Sequence, residues 1–356
     1  MTALVHDLSL CNLRAAYQAG ALTPRTLIAE LRARALHLNP DYHLFIHLLS
    51  TDELEPYLAA LDNQTPDTRP LFGVPFAIKD NIDLAGIPTT AACPAFAYVP
   101  AQSATLVAQL IALGAIPLGK TNLDQFATGL NGTRSPYGPC RNSVHPAYPA
   151  GGSSSGSALA VALGLASFAL GTDTAGSGRV PAAFNDLVGL KPSKGLLSTQ
   201  GVVPACRTLD CVTYFTTSAV DASQLLALTA AVDPQDAYSR PNPQWNDAGA
   251  FGVPPVGFRF GVPKVVEFLG CTEGPEQFAQ AIARLEALGG QAVEVDFTPF
   301  LEAARLLYEG PWVAERYSVV GELIEQQPDA VLPVIRRVLA QAPDASAVTA
   351  FRAQYR

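Results

Sequence analysis

Histidine is scarce in this chain, and its placement excludes more than its number does. The five histidines, His6, His37, His43, His47 and His145, all precede the serine-rich segments that begin at Gly151. A nucleophile elbow needs a histidine downstream of its serine, so Gly152-Ser153-Ser154-Ser155-Gly156 fits that motif in spelling alone. The two prolines in the preceding HPAYPA also make a poor central strand. His43 and His47 have helical metal-ligand spacing, but Leu44 stands where the zinc hydrolase motif requires glutamate, and no third ligand is evident.

Positive charge is also in short supply. Lys and Arg total 23 against 31 Asp and Glu, giving a net charge of −8 and a pI near 5.1. No basic stripe is available to neutralise phosphates, which excludes a nucleic-acid partner. The six cysteines form no CxxC pair, and MTALVHDLSL lacks the cationic start and apolar run of a secretion signal. Both point to free thiols, read as small buried hydrophobes, in a reducing cytoplasm. The longest apolar stretch, Ser157 to Leu170, falls short of the ~20 residues that cross a bilayer, so no membrane role is expected. Its Ala and Gly content suits a closely packed core helix. No repeat or low-complexity segment is visible.

What remains is a chain of 356 residues, 49% hydrophobic, with 28 glycines and 29 prolines, the composition of a globular enzyme with many turns. Two helices open it. Leu8, Leu10, Leu13 and Ala16 trace the first; Thr23-Pro24 supplies an N-cap and first turn for the second, with Leu27, Leu31, Ala35 and Leu38 along one side. LFGVPFAIKD reads as a strand that ends on Lys79. Ser103 is expected to cap a helix over ATLVAQLIAL, closed by Gly114. AIPLGKTN then reads as a strand and NLDQFATG as a further helix. Alternation continues through Gly189–Lys191 and Phe258–Val262, which predicts an α/β fold with a mixed sheet. Pro241 to Pro255 reads as a surface loop, and the chain stops inside a helix-like pattern, ASAVTAFRAQYR.

One further motif is a decoy. Gly114-Ala-Ile-Pro-Leu-Gly119-Lys120-Thr121 spells a phosphate loop, but a helix precedes it, its middle reads as strand, and proline removes an amide donor. The chemistry instead points to GGSSSGSA (Gly151–Ala158) and GTDTAGSGR (Gly171–Arg179), which bring hydroxyls and small-residue backbone together. Without histidine, such a serine needs another base. A lysine serves if its pKa falls by about three units, which burial and hydroxyl partners achieve. Lys79 is the best placed, while Lys191 and Lys194 sit in a turn-like GLKPSKG.

Three segments in order, GVPFAIKDN, GGSSSGSA and GTDTAGSGRVPAAFNDLVGLKPSKG, resemble the amidase signature family, most strongly from Pro70 to Thr213. The resemblance implies a central mixed β-sheet flanked by α-helices and one amidase domain over residues 1–356. That domain would be truncated at its C-terminus and lack the further domain that completes decarboxylation. It implies Ser177 as nucleophile, Ser153 as a relay in a cis peptide, and Lys79 as base. The amides of Thr174, Ala175, Gly176 and Ser177 would form the oxyanion hole, with Asp173 and Arg179 a supporting ion pair. No metal or organic cofactor is implied. Ala175 and Gly178 depart from the family's usual residues, and Thr-Ala-Gly-Ser-Gly-Arg is similar to the allophanate hydrolase branch, as are DQFATGLNGTRSPYG and YEGPWVAERY. On that branch the substrate is allophanate, a carboxylated urea met in urea and s-triazine nitrogen catabolism, and the enzyme is a homodimer. Tyr308 and Arg316, on one face if their helix is continuous, would grip the carboxylate, and Thr128 and Gly129 would line the opposite wall. Three alternatives remain: an amidase for another small carboxylated amide, an inactive scaffold, and a transamidase-like subunit.

Overall fold

A computed structural model describes residues 6–242, 252 and 257–356. Most of the Pro241–Pro255 stretch lies outside the described residues. The chain divides into two compact units: residues 1–248 with 315–340, and residues 249–314 with 341–356.

The first unit opens with α1 (Leu10–Gln18) and α2 (Pro24–Tyr42). Thr23 and Thr26 form a reciprocal capping box at the start of α2, the expected N-cap made doubly secure. Leu10 and Leu13 from α1, and Leu27, Leu31 and Ala35 from α2, join the buried core. β1 (Phe45–Leu48), α3 (Thr51–Ala59), β2 (Pro75–Lys79), α4 (Thr105–Ala112) and β3 (Ile116–Thr121) follow. Then come α5 (Ser155–Ala162), β4 (Phe168–Asp173), α6 (Arg179–Phe184), β5 (Val188–Leu190), β6 (Cys211–Thr216) and α7 (Ala219–Thr229). The strands form one mixed sheet in the order β1-β3-β2-β4-β6-β5, flanked by helices. β2 lies between β3 and β4 and runs parallel to both, so every one of its residues is buried.

The centre of the sheet is aromatic. Phe76 on β2 stacks on Phe168 of β4 at 5.2 Å, and Phe168 meets the edge of Tyr214 on β6 at 6.0 Å. Each such pair contributes about 0.5–1.5 kcal/mol beyond its buried area. Burying tyrosine requires a partner for its hydroxyl, and Tyr214 meets Thr229 of α7 at 2.8 Å. The first unit also holds the greater part of α10 (Trp312–Gln326) and α11 (Pro333–Leu339).

The second unit contains a parallel pair, β7 (Phe258–Pro263) with β8 (Gly290–Val295), together with α8 (Gly274–Ala287), α9 (Thr298–Glu309) and α12 (Ala347–Tyr355).

Several local expectations fail for identifiable reasons. The run Ser157–Leu170 is helix to Ala162, a turn, and strand from Phe168. α5 ends at Ala162, Gly164 takes φ +63°, and the Leu165 amide returns to the Ala160 carbonyl, a glycine-closed helix end. Ser103 does not cap α4; its hydroxyl accepts from the Ala85 amide, and Ala104 occupies the cap. NLDQFATG forms a single 3₁₀ turn, Gln125–Ala127, with Phe126 and Ala127 at positive φ. The phosphate-loop spelling is, as expected, strand from Ile116 to Thr121 (β3), with Lys120 buried against Asp80 at 2.9 Å. Cys11 and Cys271 are exposed, while the other four free cysteines are buried.

Candidate active site

Lys79 ends the central strand β2 and is 0% exposed. Its Nζ donates to Ser153 Oγ at 2.8 Å and to Thr172 Oγ1 at 2.7 Å. Burial is the largest influence on this amine and pulls its pKa down to about 7, against the opposing charges of Asp124, Asp210 and Asp173; Arg316 assists the fall. A buried amine held by hydroxyls and without a carboxylate in hydrogen-bond contact can exchange protons near neutrality. Thr172, absent from the sequence-based site, is its second partner. It lies within GTDTAGSG, and only the pairing of β2 beside β4 brings it to Lys79.

Ser153 follows a cis Gly152–Ser153 peptide at the entrance to α5. The next residue ties this turn to the nucleophile candidate: the Ser154 amide donates to the Ser177 carbonyl at 3.3 Å. Ser154 Oγ is occupied with the Thr172 backbone, so the serine at the centre of the elbow spelling is structural. Ser177 Oγ donates to the Gly129 carbonyl at 3.4 Å; no hydrogen bond joins it to Ser153 Oγ in this structure.

The turn between β4 and α6 is organised by Asp173. Its carboxylate accepts the amides of Gly176 (2.7 Å), Gly178 (3.1 Å) and Arg179 (3.2 Å), and the Arg179 side chain in two places. Burial pushes Asp173 up, but the Arg179 hydrogen bonds and charge outweigh it and hold the carboxyl below its usual range. The Gly176 amide, expected to face an oxyanion, is thus committed to Asp173. Those of Thr174, Ala175 and Ser177 make no hydrogen bond among the described residues. Three donors remain for a developing negative charge. Thr174 is fixed from behind, its hydroxyl donating to Asp210, whose other bonds come from the Ala205 and Cys206 amides.

Arg316 is 3% exposed and donates through Nη1 to Thr128 Oγ1 at 3.1 Å. Thr128 precedes Gly129, the residue that contacts Ser177, so the buried cation sits one residue along the chain from the candidate nucleophile's hydrogen-bond partner. Tyr308 stands differently. The assumed continuous helix is broken: α9 ends at Glu309, Gly310 is extended (φ −104°, ψ −169°), and α10 starts at Trp312. Pro311 causes the break, because it lacks an amide hydrogen and drives the residue before it out of the helical region. Tyr308 belongs to the second unit, is 38% exposed, and offers its carbonyl to Gln341 Nε2 at 2.9 Å. The eight-residue spacing therefore says nothing about a shared face with Arg316.

Lys191 and Lys194 are structural, bonded to the Pro192 and Thr208 carbonyls. No cluster of three or more metal-binding side chains exists among the described residues, and none of the described helices is long and apolar enough to cross a membrane.

Comparison with known proteins gives this arrangement a family. A family model described as Amidase matches residues 26–352. The chain belongs to the amidase family. This amidase is 46% identical over 324 residues to the urea amidolyase of Saccharomyces cerevisiae, spanning 89% of this chain and 17% of that protein. It is 50% identical over 289 residues to the urea amidolyase of Lachancea kluyveri, spanning 80% and 16%. Among solved structures, the allophanate hydrolase of Kluyveromyces lactis superposes with a TM-score of 0.88 at 41% identity, over 98% of this chain and 57% of that one. The amidase thus spans about a sixth of either urea amidolyase and under two thirds of the solved hydrolase. Its mixed α/β architecture is the one expected of that family.

Proposed function

We propose that this amidase hydrolyses allophanate by acyl transfer to Ser177, with Ser153 as proton relay and Lys79 as base. The observation that carries the substrate is the buried Arg316 guanidinium on Thr128, one residue from the Gly129 contact of Ser177. A cation withdrawn from water so close to an acyl-transfer serine suits a small amide that bears a carboxylate. The likeness to a solved allophanate hydrolase supports the same choice.

In the cycle, neutral Lys79 takes the Ser153 hydroxyl proton as Ser153 Oγ takes the proton of Ser177. Ser177 Oγ then bonds to the terminal amide carbon. The oxyanion is met by the amides of Thr174, Ala175 and Ser177. Collapse expels the amide nitrogen, which receives the proton from Lys79 through Ser153 and leaves as ammonia. Water repeats the path on the acyl-enzyme and frees an N-carboxycarbamate that loses carbon dioxide. Thr128 and Gly129 line the wall beside Arg316. The reading extends to a cytoplasmic homodimer, in keeping with six unpaired thiols.

The test is substrate ranking. Purified protein should release ammonia from allophanate far faster than from simple aliphatic amides, and the reverse ranking overturns the assignment. Ser177→Ala should abolish turnover and labelling by a fluorophosphonate; labelling that persists at another serine moves the nucleophile.

A further inference from the structure

Asp124 is completely buried and takes no part in the cycle just described. Its carboxylate accepts the Gly132 amide at 3.0 Å through Oδ2 and the Arg134 amide at 2.8 Å through Oδ1. Those bonds fold residues 124–134 into a closed loop, reinforced by the Gln125 amide on the Arg134 carbonyl at 2.7 Å. The loop presents Thr128 Oγ1 to Arg316 and the Gly129 carbonyl to Ser177. From the other side, the Asp124 amide donates to the carbonyl of Ser153 at 3.1 Å.

The surroundings are shaped to this carboxylate. A Cβ at Gly129 would stand 2.5 Å from Asp124 Oδ2, and one at Gly152 only 2.3 Å from the same oxygen. Gly152 is the residue whose peptide leads into Ser153. Two glycines, Gly129 and Gly152, are therefore required by the same oxygen atom.

We propose that Asp124 is a positioning residue that holds the relay Ser153, the Gly129 contact of Ser177 and the Thr128 contact of Arg316 in one register. This inference rests on the acyl-transfer reading above and concerns how its parts are held together. It has an electrostatic consequence as well. The charged groups around Lys79 are Asp124, Asp210 and Asp173, which favour its protonation, and Arg316, which opposes it. Asp124 is the foremost of the three carboxylates, so it opposes a further fall of the amine's pKa.

The deciding experiment is the pH dependence of fluorophosphonate labelling at Ser177, read by mass spectrometry, in wild type, Asp124→Asn and Gly129→Ala. Labelling needs no knowledge of the substrate. In the wild type it should rise through the pH at which Lys79 loses its proton. Asp124→Asn removes one acceptor and the charge: the plateau should fall at least roughly tenfold, and the midpoint should move to lower pH by roughly half a unit or more. Gly129→Ala keeps the charge but displaces the carboxylate, so its plateau should fall while the midpoint holds. A residue that merely supported the fold would lower the plateau without moving the midpoint of Asp124→Asn, and that result overturns the proposal. Wild-type labelling of Gly129→Ala also overturns it, and remains readable if Asp124→Asn does not fold. Failure of the wild type to label at Ser177 would instead reject the acyl-transfer reading.

Discussion

Replacing Lys79 by methionine should make this protein more stable at neutral pH and less stable in alkali. The amine has a folded-state pKa of about 7 against 10.5 for the free side chain. Between those values the unfolded chain binds the extra proton, so the lysine's cost to stability shrinks as pH rises through this window. Below about pH 7 both states are protonated and the cost is complete, about 5 kcal/mol at 1.36 kcal/mol per unit. Near pH 10 less than about 1 kcal/mol of it is left. Methionine fills nearly the same volume and forfeits the two hydroxyl contacts to Ser153 and Thr172, together about 2 kcal/mol at any pH. The variant should then be more stable by about 2–3 kcal/mol near pH 6 and less stable by about 1 kcal/mol near pH 10. Urea unfolding of both proteins across this range measures the difference directly, and ionisations shared by the two cancel from it. The informative quantity is the slope. A stability difference that stays flat from pH 6 to 10 would mean that Lys79 carries an ordinary ammonium in the folded protein. No neutral base would then exist, and the proton relay would have to be abandoned.

Other outcomes follow from the same geometry. Arg316→Ala should cost carboxylate-bearing substrates about 2 kcal/mol, roughly 30-fold in kcat/KM, the scale of hydrogen bonds to charged groups. Simple amides should be spared, and an unchanged ratio between the two substrate classes removes Arg316 from the pocket. Gly178→Ala should destabilise by about 1–3 kcal/mol, since its Cβ would lie 2.8 Å from both Cγ2 and Oγ1 of Thr213. Thr213→Ala should rescue most of that loss at little cost of its own, because Thr213 Oγ1 has no hydrogen-bond partner among the described residues. Additive effects of the two substitutions in chemical denaturation would refute this packing account.

Features encoded within a few residues could be read from the sequence. The Thr23-Pro24 helix start, the strand running into Lys79 and the strand character of Ile116–Thr121 each depend on neighbours in the chain, and each is present. The helix expected over NLDQFATG failed because Asp124 is bonded to amides eight and ten residues away. No periodicity reports such a loop. Thr172 and Asp210 escaped notice for the same cause: their partners Lys79 and Thr174 meet them through sheet pairing and a chain reversal. Gly176 shows a subtler failure. A small-residue turn does aim several amides at one point, but Asp173 within the same motif claims one of them. The Gly310-Pro311 pair, by contrast, was a visible helix breaker standing between Tyr308 and Arg316.

The comparison of two buried lysines isolates what suits one of them to the proposed role of base. Lys79 and Lys120 occupy the ends of adjacent parallel strands, and both are 0% exposed. Burial lowers the affinity of each for its proton. Lys120, however, touches the Asp80 carboxylate at 2.9 Å as well as Thr89 Oγ1 at 2.8 Å, and this bonded counter-charge opposes the fall that burial causes. Lys79 has hydroxyls in that place. A hydroxyl accepts from an ammonium and donates to an amine with equal ease, whereas a carboxylate can only accept. The three carboxylates that act on Lys79 do so without hydrogen-bonding to it, which leaves the amine able to lose its proton and regain it within one cycle. A lysine's strand position is therefore insufficient to identify the base; the absence of a bonded acid beside it is the deciding feature.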